Sequence, residues 1–310
     1  MRAVAIPRFG PAEVLTVAEL PEPEPGEGQV RVRVAAATVN PTDLGLRAGL
    51  RAAQLRTPPP YVPGMELAGV VDAVGPGVEW RSGERVMAIV LPTGPGGGAQ
   101  AEMVVVPGES VARIPDGASM EAAATLPMNG LTVRRALDLL ALSPGQSLAV
   151  TGAAGAVGGY AIELGVAAGL RVIAVASPSD EELLERLGAD VVLPRGDDAA
   201  ERVRQVVPDG VDGLIDAALI GAPILPAIRD GGGLIAVRPF QGETERGIEI
   251  QLVLVAEYAR NQAALEGLRQ LASQGKLTLR VAETFPPERA AEAHRRLEAG
   301  GVRGRLVILF

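Results

Sequence analysis

With 310 residues, 47% of them hydrophobic and 21% charged, the chain has length for about two domains and enough apolar content for ordinary cores. It holds no cysteine and one histidine, which excludes disulfides, thiolate nucleophiles, iron–sulfur clusters and a multi-histidine metal site. A net charge of −8 with no basic block argues against nucleic acid, whose phosphates such a surface repels.

Lys276 is the only lysine, so Schiff-base chemistry has little to draw on. With so much side-chain chemistry missing, a cofactor that brings its own reactivity is the natural expectation. No apolar run approaches the ~20 residues of a membrane-spanning helix. The opening residues Met1 to Pro7 contain no signal-peptide core, so a cytoplasmic location is expected.

In chain order, short β-like runs come first, at 30–34, 68–74, 85–90 and 103–106. Gly- and Pro-rich turn signals separate them at 21–28, 58–60, 75–77 and 94–98. This reads as a mostly-β region closing into a small barrel. From Met120 the texture changes. A helix is expected over 131–142, ending at Ser143, Pro144 and Gly145. Strands at Ser147–Thr151, Arg171–Ala176, 191–193, 212–216 and 233–237 then alternate with helices over 156–168, 180–187, 198–206 and 222–229. Such alternation at short spacing indicates an α/β fold with a doubly wound parallel sheet.

Beyond it come a long helix over 258–274, a strand at Val281–Phe285, a helix over 287–298 and a closing strand over 306–310. That last strand lacks a partner nearby in sequence and is expected to return to the N-terminal β region. The polar–apolar alternation of 247–253 suits an edge strand, which invites pairing with a second copy.

The chemistry concentrates after the first parallel strand. Gly152, Gly155 and Gly158 follow Ser147–Thr151 in G-x-x-G-x-x-G spacing and open a helix. A Rossmann-type dinucleotide site needs glycine there for the tight turn, for close approach of a pyrophosphate and for helix–strand packing. The bared amides and the positive helix end then hold phosphate. The second strand ends at Ala176 and Ser177 with no acid to grip ribose hydroxyls, which leaves room for a 2′-phosphate and favours NADPH. Arg195 is the nearest candidate cation, though a solvated loop arginine is an equal reading. Ser179 and Glu182 have capping-box spacing, so Ser179 reads as a helix N-cap.

These features resemble a known family along nearly the whole chain. Asn40-Pro41-Thr42-Asp43, the turn from Gly64 through Glu66 and Gly69 to Gly75 in G-x-E-x-x-G-x-V-x-x-V-G spacing, Gly83 to Val86, Leu187 to Asp190, Gly231 to Gly233 and Gly304 to Val307 occur in its order. The sequence is similar to the zinc-independent, zeta-crystallin-like quinone oxidoreductase branch of the medium-chain dehydrogenase/reductase superfamily. The resemblance implies a GroES-like mostly-β catalytic domain from residues 1–122 and 259–310 around a Rossmann domain of 123–258, with the cofactor in the cleft between them. It implies no metal, because Asn40 and Met65 stand where zinc-dependent relatives carry Cys and His ligands.

Carried over residue by residue, Asn40 lies beside the nicotinamide or substrate and Asp43 shapes its loop. Asn129 and Thr132 lie near the nicotinamide end, and Val237 flanks it. Ala154, Ala156 and Val157 line the pyrophosphate, and Ser177 meets the adenosine phosphate. Asp180 and Pro194 stand where NADPH-preferring members carry Lys and Tyr, so NADH stays the alternative cofactor.

The activity implied is hydride transfer to a quinone or an α,β-unsaturated carbonyl. The alternatives are an enoyl or alkenal reductase in a biosynthetic pathway, or a nucleotide-binding protein without catalysis. A homodimer is implied as well. Tyr61, beside the Gly64 turn, is the tyrosine best placed in sequence to line a substrate mouth. Tyr160, Tyr258 and His294 read as packing residues, His294 at the edge of an amphipathic surface helix.

Overall fold

The computed structural model describes residues 1–310. They divide into two compact units, one of Met1–Met128, Ala259–Ser273 and Leu279–Phe310, the other of Asn129–Tyr258 and Gln274–Thr278.

The first unit opens with an antiparallel hairpin of β1 (Arg2–Ala5) and β2 (Thr16–Glu19), with Arg2 opposite Glu19. β3 (Gln29–Val39) begins with strict alternation. Val30, Val32 and Val34 are buried, while Arg31 and Arg33 point the other way to Asp72. It runs on through Ala36 to Val39, a small-residue stretch buried on both faces, and so exceeds the expected 30–34. α1 (Pro41–Arg47) follows at once. Pro41 sits at the first helical position, where its missing N–H costs nothing, and Asn40 is the N-cap. Next come β4 (Glu66–Val74), β5 (Arg85–Ile89), β6 (Met103–Pro107), β7 (Val111–Arg113) and the short α2 (Met120–Ala123), capped by Ser119 Oγ.

α3 (Pro127–Leu140) leads into the second unit. There follow β8 (Ser147–Thr151), α4 (Ala156–Ala167), β9 (Arg171–Ala176), α5 (Glu181–Arg186), β10 (Val191–Pro194), α6 (Ala199–Val206), β11 (Val211–Asp216), β12 (Ile228–Ala236) and β13 (Glu249–Leu252). All six strands are parallel, in the order β10-β9-β8-β11-β12-β13. This is the doubly wound order, with its reversal between β8 and β11. β8 is buried along its whole length, with an apolar centre of Leu148, Ala149 and Val150, as suits a central parallel strand.

The helix expected over 222–229 is instead a 3-10 turn, Ala222–Ala227, after which Ile228 starts β12. Pro226 explains the correction, since inside the segment it removes a backbone donor an α-helix needs and its ring clashes with the preceding turn.

The chain then returns to the first unit with α7 (Gln262–Ser273), β14 (Val281–Phe285), α8 (Ala290–Glu298) and β15 (Arg305–Leu309). α7 starts four residues later than expected because Asn261 Oδ1 caps it by accepting from Ala264 N. β15 lies antiparallel to β3 with Leu306 opposite Val39, so both chain ends build one seven-stranded sheet, β14-β15-β3-β4-β5-β7 with β6 paired to β3 off that path. It also pairs with β14, which corrects the expectation that it has no partner nearby in sequence.

One valine- and alanine-rich core lies among β3, β4, β5 and β6, and a second gathers Val4, Leu46, Phe285, Ala293 and Ile308. No helix is long and apolar enough to cross a membrane.

Candidate active site

In the first unit the candidate residues gather where β3 hands over to α1. Asn40 and Asp43 are fully buried. Asp43 Oδ2 accepts the Asn40 backbone N–H at 2.7 Å, and Oδ1 accepts that of Gly64 at 2.9 Å. One carboxylate thus caps α1 and ties it to the turn before β4. Burial pushes the Asp43 carboxyl up to about 6, against the pull of these two amides and of Arg305.

Asn40 Nδ2 donates to Thr38 Oγ1 at 3.1 Å. Thr38 Oγ1 donates to Glu66 Oε1 at 2.6 Å and accepts from Arg305 Nη2 at 2.9 Å. Glu66 Oε1 also receives Arg305 Nη2 at 2.7 Å, while Oε2 takes the backbone N–H of Met128. The amide of Asn40 is therefore fixed with its nitrogen toward Thr38. Its Oδ1 is buried and has no hydrogen-bond partner, so it remains an acceptor for an arriving donor.

Thr38, Glu66, Arg305 and Gln100, whose Nε2 donates to the Thr38 carbonyl at 3.0 Å, are the residues that reading the sequence missed as site components. A signal existed in part, since Glu66 and Arg305 are charged residues at the heads of mostly apolar strands. Met65 is buried and receives the Thr42 hydroxyl at its sulfur.

Tyr61 is half-buried and stacks on Phe9 with ring centroids 5.5 Å apart. Its backbone bridges to Ile6. His294 departs from expectation, being fully buried rather than on a helix edge. Its Nδ1 accepts from Arg47 Nη1 at 3.2 Å, and Nε2 has no partner. Burial and the Arg47 charge push its pKa down to about 3. It shares one stripe of α8 with Ala290 and Ala293, a stripe that faces the core although Glu292, Arg295 and Arg296 flank it.

In the second unit the glycines stand at the end of β8. Gly152 takes φ +59°, a region that leaves other residues strained. A Cβ on Gly158 would lie 2.4 Å from Gly152 O and 2.6 Å from Ala153 Cα, so only glycine lets α4 pack this close to its strand. Gly155 is the N-cap of α4 and has no side chain to cap with. The first amides of α4, at Ala156, Val157 and Gly158, have no acceptor four residues back. Bare amides at the positive end of a twelve-residue helix suit an anionic diphosphate. Ala154 is buried beside them, and Ala156 and Val157 are half-buried.

Ser177 follows β9 directly, half-buried. Ser179 is not the expected N-cap. It lies in a 3-10 turn, α5 starts at Glu181, and Ser179 Oγ donates to Ser177 Oγ at 3.1 Å. Arg195 is exposed just after β10 and forms no ion pair, its backbone N–H donating to Ala176 O. Of the nearby acids, Asp180 is turned inward and Glu182 pairs with Arg186. Asn129 and Thr132 are buried on α3, and Val237 is half-buried one residue past β12.

The alcohol dehydrogenase GroES-like domain matches residues 26–116, and the zinc-binding dehydrogenase domain matches residues 187–308. An alcohol dehydrogenase of Geobacillus stearothermophilus is 30% identical over 286 residues, covering 80% of this chain and 83% of that protein. A quinone oxidoreductase of Lama guanicoe is 28% identical, covering 100% and 98%.

Among solved structures, an NAD-dependent alcohol dehydrogenase superposes with a TM-score of 0.89 at 31% identity, with both chains covered completely. A mycobacterial protein solved with NADPH superposes with a TM-score of 0.87 at 27% identity, again with both chains covered completely. The GroES-like region, the doubly wound sheet and these relatives agree. The chain belongs to the medium-chain dehydrogenase/reductase superfamily, as an oxidoreductase of its quinone oxidoreductase branch.

Proposed function

We propose that the protein is an NADPH-dependent reductase that delivers hydride, without a metal, to a quinone or an α,β-unsaturated carbonyl. The observation that carries this reading is the cradle after β8, a glycine turn leading into a helix end with no side-chain cap. Ser177 and the exposed Arg195 favour a 2′-phosphate over a bare ribose, because Arg195 has no ion-pair partner in the chain and a phosphate would take its charge-assisted bonds. A metal-free course is supported by the absence of cysteine and by the burial of the only histidine against Arg47.

Bound NADPH supplies two electrons as hydride; reduction of a quinone to hydroquinone then needs one further proton. The protein's share is binding, orientation and exclusion of water. Gly152, Ala154, Gly155, Ala156, Val157 and Gly158 hold the diphosphate. Asn129, Thr132 and Val237 hold the nicotinamide end. Asn40 offers Oδ1 to a donor on the nicotinamide or substrate, its orientation fixed through Thr38 by Glu66 and Arg305. Asp43 holds the backbone of that loop. Tyr61 lines the substrate mouth, where its hydroxyl or solvent delivers the proton.

Titration with NADPH and NADH side by side, followed by turnover with a para-quinone and an enone, tests the reading. Tight NADPH binding with quinone-dependent oxidation supports it. Preference for NADH overturns the cofactor assignment, binding without turnover makes the protein a non-catalytic binder, and binding of neither nucleotide removes the enzyme. We also propose a homodimer joined through β13, an edge strand paired on one side only, with Leu252 and Leu254 exposed beside it.

A further inference from the structure

We propose that Thr151 and Asp216 are a positioning pair that fixes the loop 217–221 against the glycine turn and displays Leu219 as an apolar flank of the nucleotide site. This rests on the reading of that turn as a dinucleotide cradle. The two residues end neighbouring strands, in register across β8 and β11, where the strand order reverses. Open α/β sheets bind ligands just outside the carboxyl ends of the strands at such a point.

Both side chains are buried. Thr151 Oγ1 donates to Asp216 Oδ1 at 2.5 Å and accepts the Ala218 N–H at 3.1 Å. Asp216 Oδ1 also takes the Ile220 N–H at 3.1 Å, and Oδ2 takes that of Gly221 at 2.8 Å. Two side chains therefore hold the amides of Ala218, Ile220 and Gly221.

The loop needs holding. Leu219 has φ +60°, in the left-handed region, and is 56% exposed. A leucine adopts that conformation only where its surroundings impose it, and such strain gathers at ligand sites. The loop also bears on the cradle directly, since a Cβ on Gly152 would meet Ala217 C and Ala218 N at 3.0 Å. A buried carboxylate beside a diphosphate site is electrostatically unfavourable. That makes its bonds to the loop the physical reason for an acid at this position.

The test measures NADPH affinity by fluorescence, KM for a quinone and the melting temperature in wild type, Thr151→Val, Thr151→Ser, Asp216→Asn and Leu219→Gly. Thr151→Val deletes the hydroxyl and keeps the branched shape. Asp216→Asn turns an N–H group toward a backbone N–H or the threonine hydroxyl. Each is expected to weaken NADPH binding about tenfold, the scale of one buried donor left unpaired, with the quinone KM within about twofold. Thr151→Ser restores binding.

Leu219→Gly suits the backbone, so it keeps or raises the melting temperature while weakening NADPH binding; it stays informative if Thr151→Val fails to fold. A lower melting temperature in the pair variants with unchanged NADPH affinity overturns the positioning role. Unchanged affinity in Leu219→Gly overturns the role of Leu219. If wild type binds no nucleotide, the cradle reading itself falls.

Discussion

Arg305 Nη2 lies 2.7 Å from Glu66 Oε1, an ion pair whose side chains are 5% and 0% exposed, joining β15 to β4 across 239 residues of sequence. Thr38 and the Met128 amide satisfy the remaining carboxylate positions. Removing one partner leaves an uncompensated buried charge. Arg305→Met is therefore expected to cost about 3–5 kcal/mol in urea unfolding. The Arg305→Met/Glu66→Gln double variant should recover part of that loss. Equal stability of Arg305→Met and wild type would show that the pair carries no such role.

That pairing marks a boundary of what the sequence made legible. β8 and β9 are legible with their observed ends because each has an apolar centre closed by turn residues, and β14 because Pro286 and Pro287 stop it directly after Phe285. The glycine spacing was equally local. α1 was not read, because Asn40-Pro41 is as good a turn as it is an N-cap followed by proline at the first helical position. The 222–229 segment has helical apolar spacing, and Pro226 within it outweighs that spacing. Burial of His294 depends on Arg47, which no local pattern connects to it. The ring of Thr38, Glu66 and Arg305 around Asn40 likewise exists only once distant strands are paired.

Asp43 should leave a pH signature. Its pKa rises from 3.8 to about 6 on folding, so its contribution is fully present below pH 3.8 and is lost as pH rises through about 6. The shift corresponds to about 3 kcal/mol. Urea midpoints at half-unit steps from pH 3.5 to 7, compared with Asp43→Asn, isolate it. Parallel profiles for the two proteins would contradict the assignment.

His294 works in the opposite sense. Its pKa falls from 6.5 to about 3 on folding, so the neutral ring's contribution is present above pH 6.5 and is lost as pH falls toward 3. Wild type should lose stability on acidification through that window, and His294→Gln should lose less. Since the two groups oppose one another near pH 5, each variant unmasks the slope of the other. A steeper acid loss in His294→Gln than in wild type would refute this account.

Pairing through β13 predicts a solution mass of twice 31.9 kDa by light scattering at micromolar concentration. Leu252→Glu/Leu254→Glu places like charges on that edge and should yield the single-chain mass with the melting temperature little changed. A wild-type monomer removes the dimer.

On the proposed reading, cofactor choice turns on the tip of β9. Arg195 has no acidic partner within the chain, so a 2′-phosphate is the anion it would meet. Losing a charge-assisted bond costs about 1.5–3 kcal/mol, so Arg195→Ala should raise the NADPH KM by about 10- to 100-fold and leave the NADH KM unchanged. Ser177→Asp goes further. Its carboxylate would accept the ribose hydroxyls of NADH and repel the phosphate of NADPH, reversing the preference. Initial rates with each nucleotide at fixed quinone measure both effects. If Arg195→Ala raised both KM values equally, the arginine would be serving the diphosphate common to the two cofactors, and selectivity would have to reside in the Ser177 and Ser179 hydroxyls.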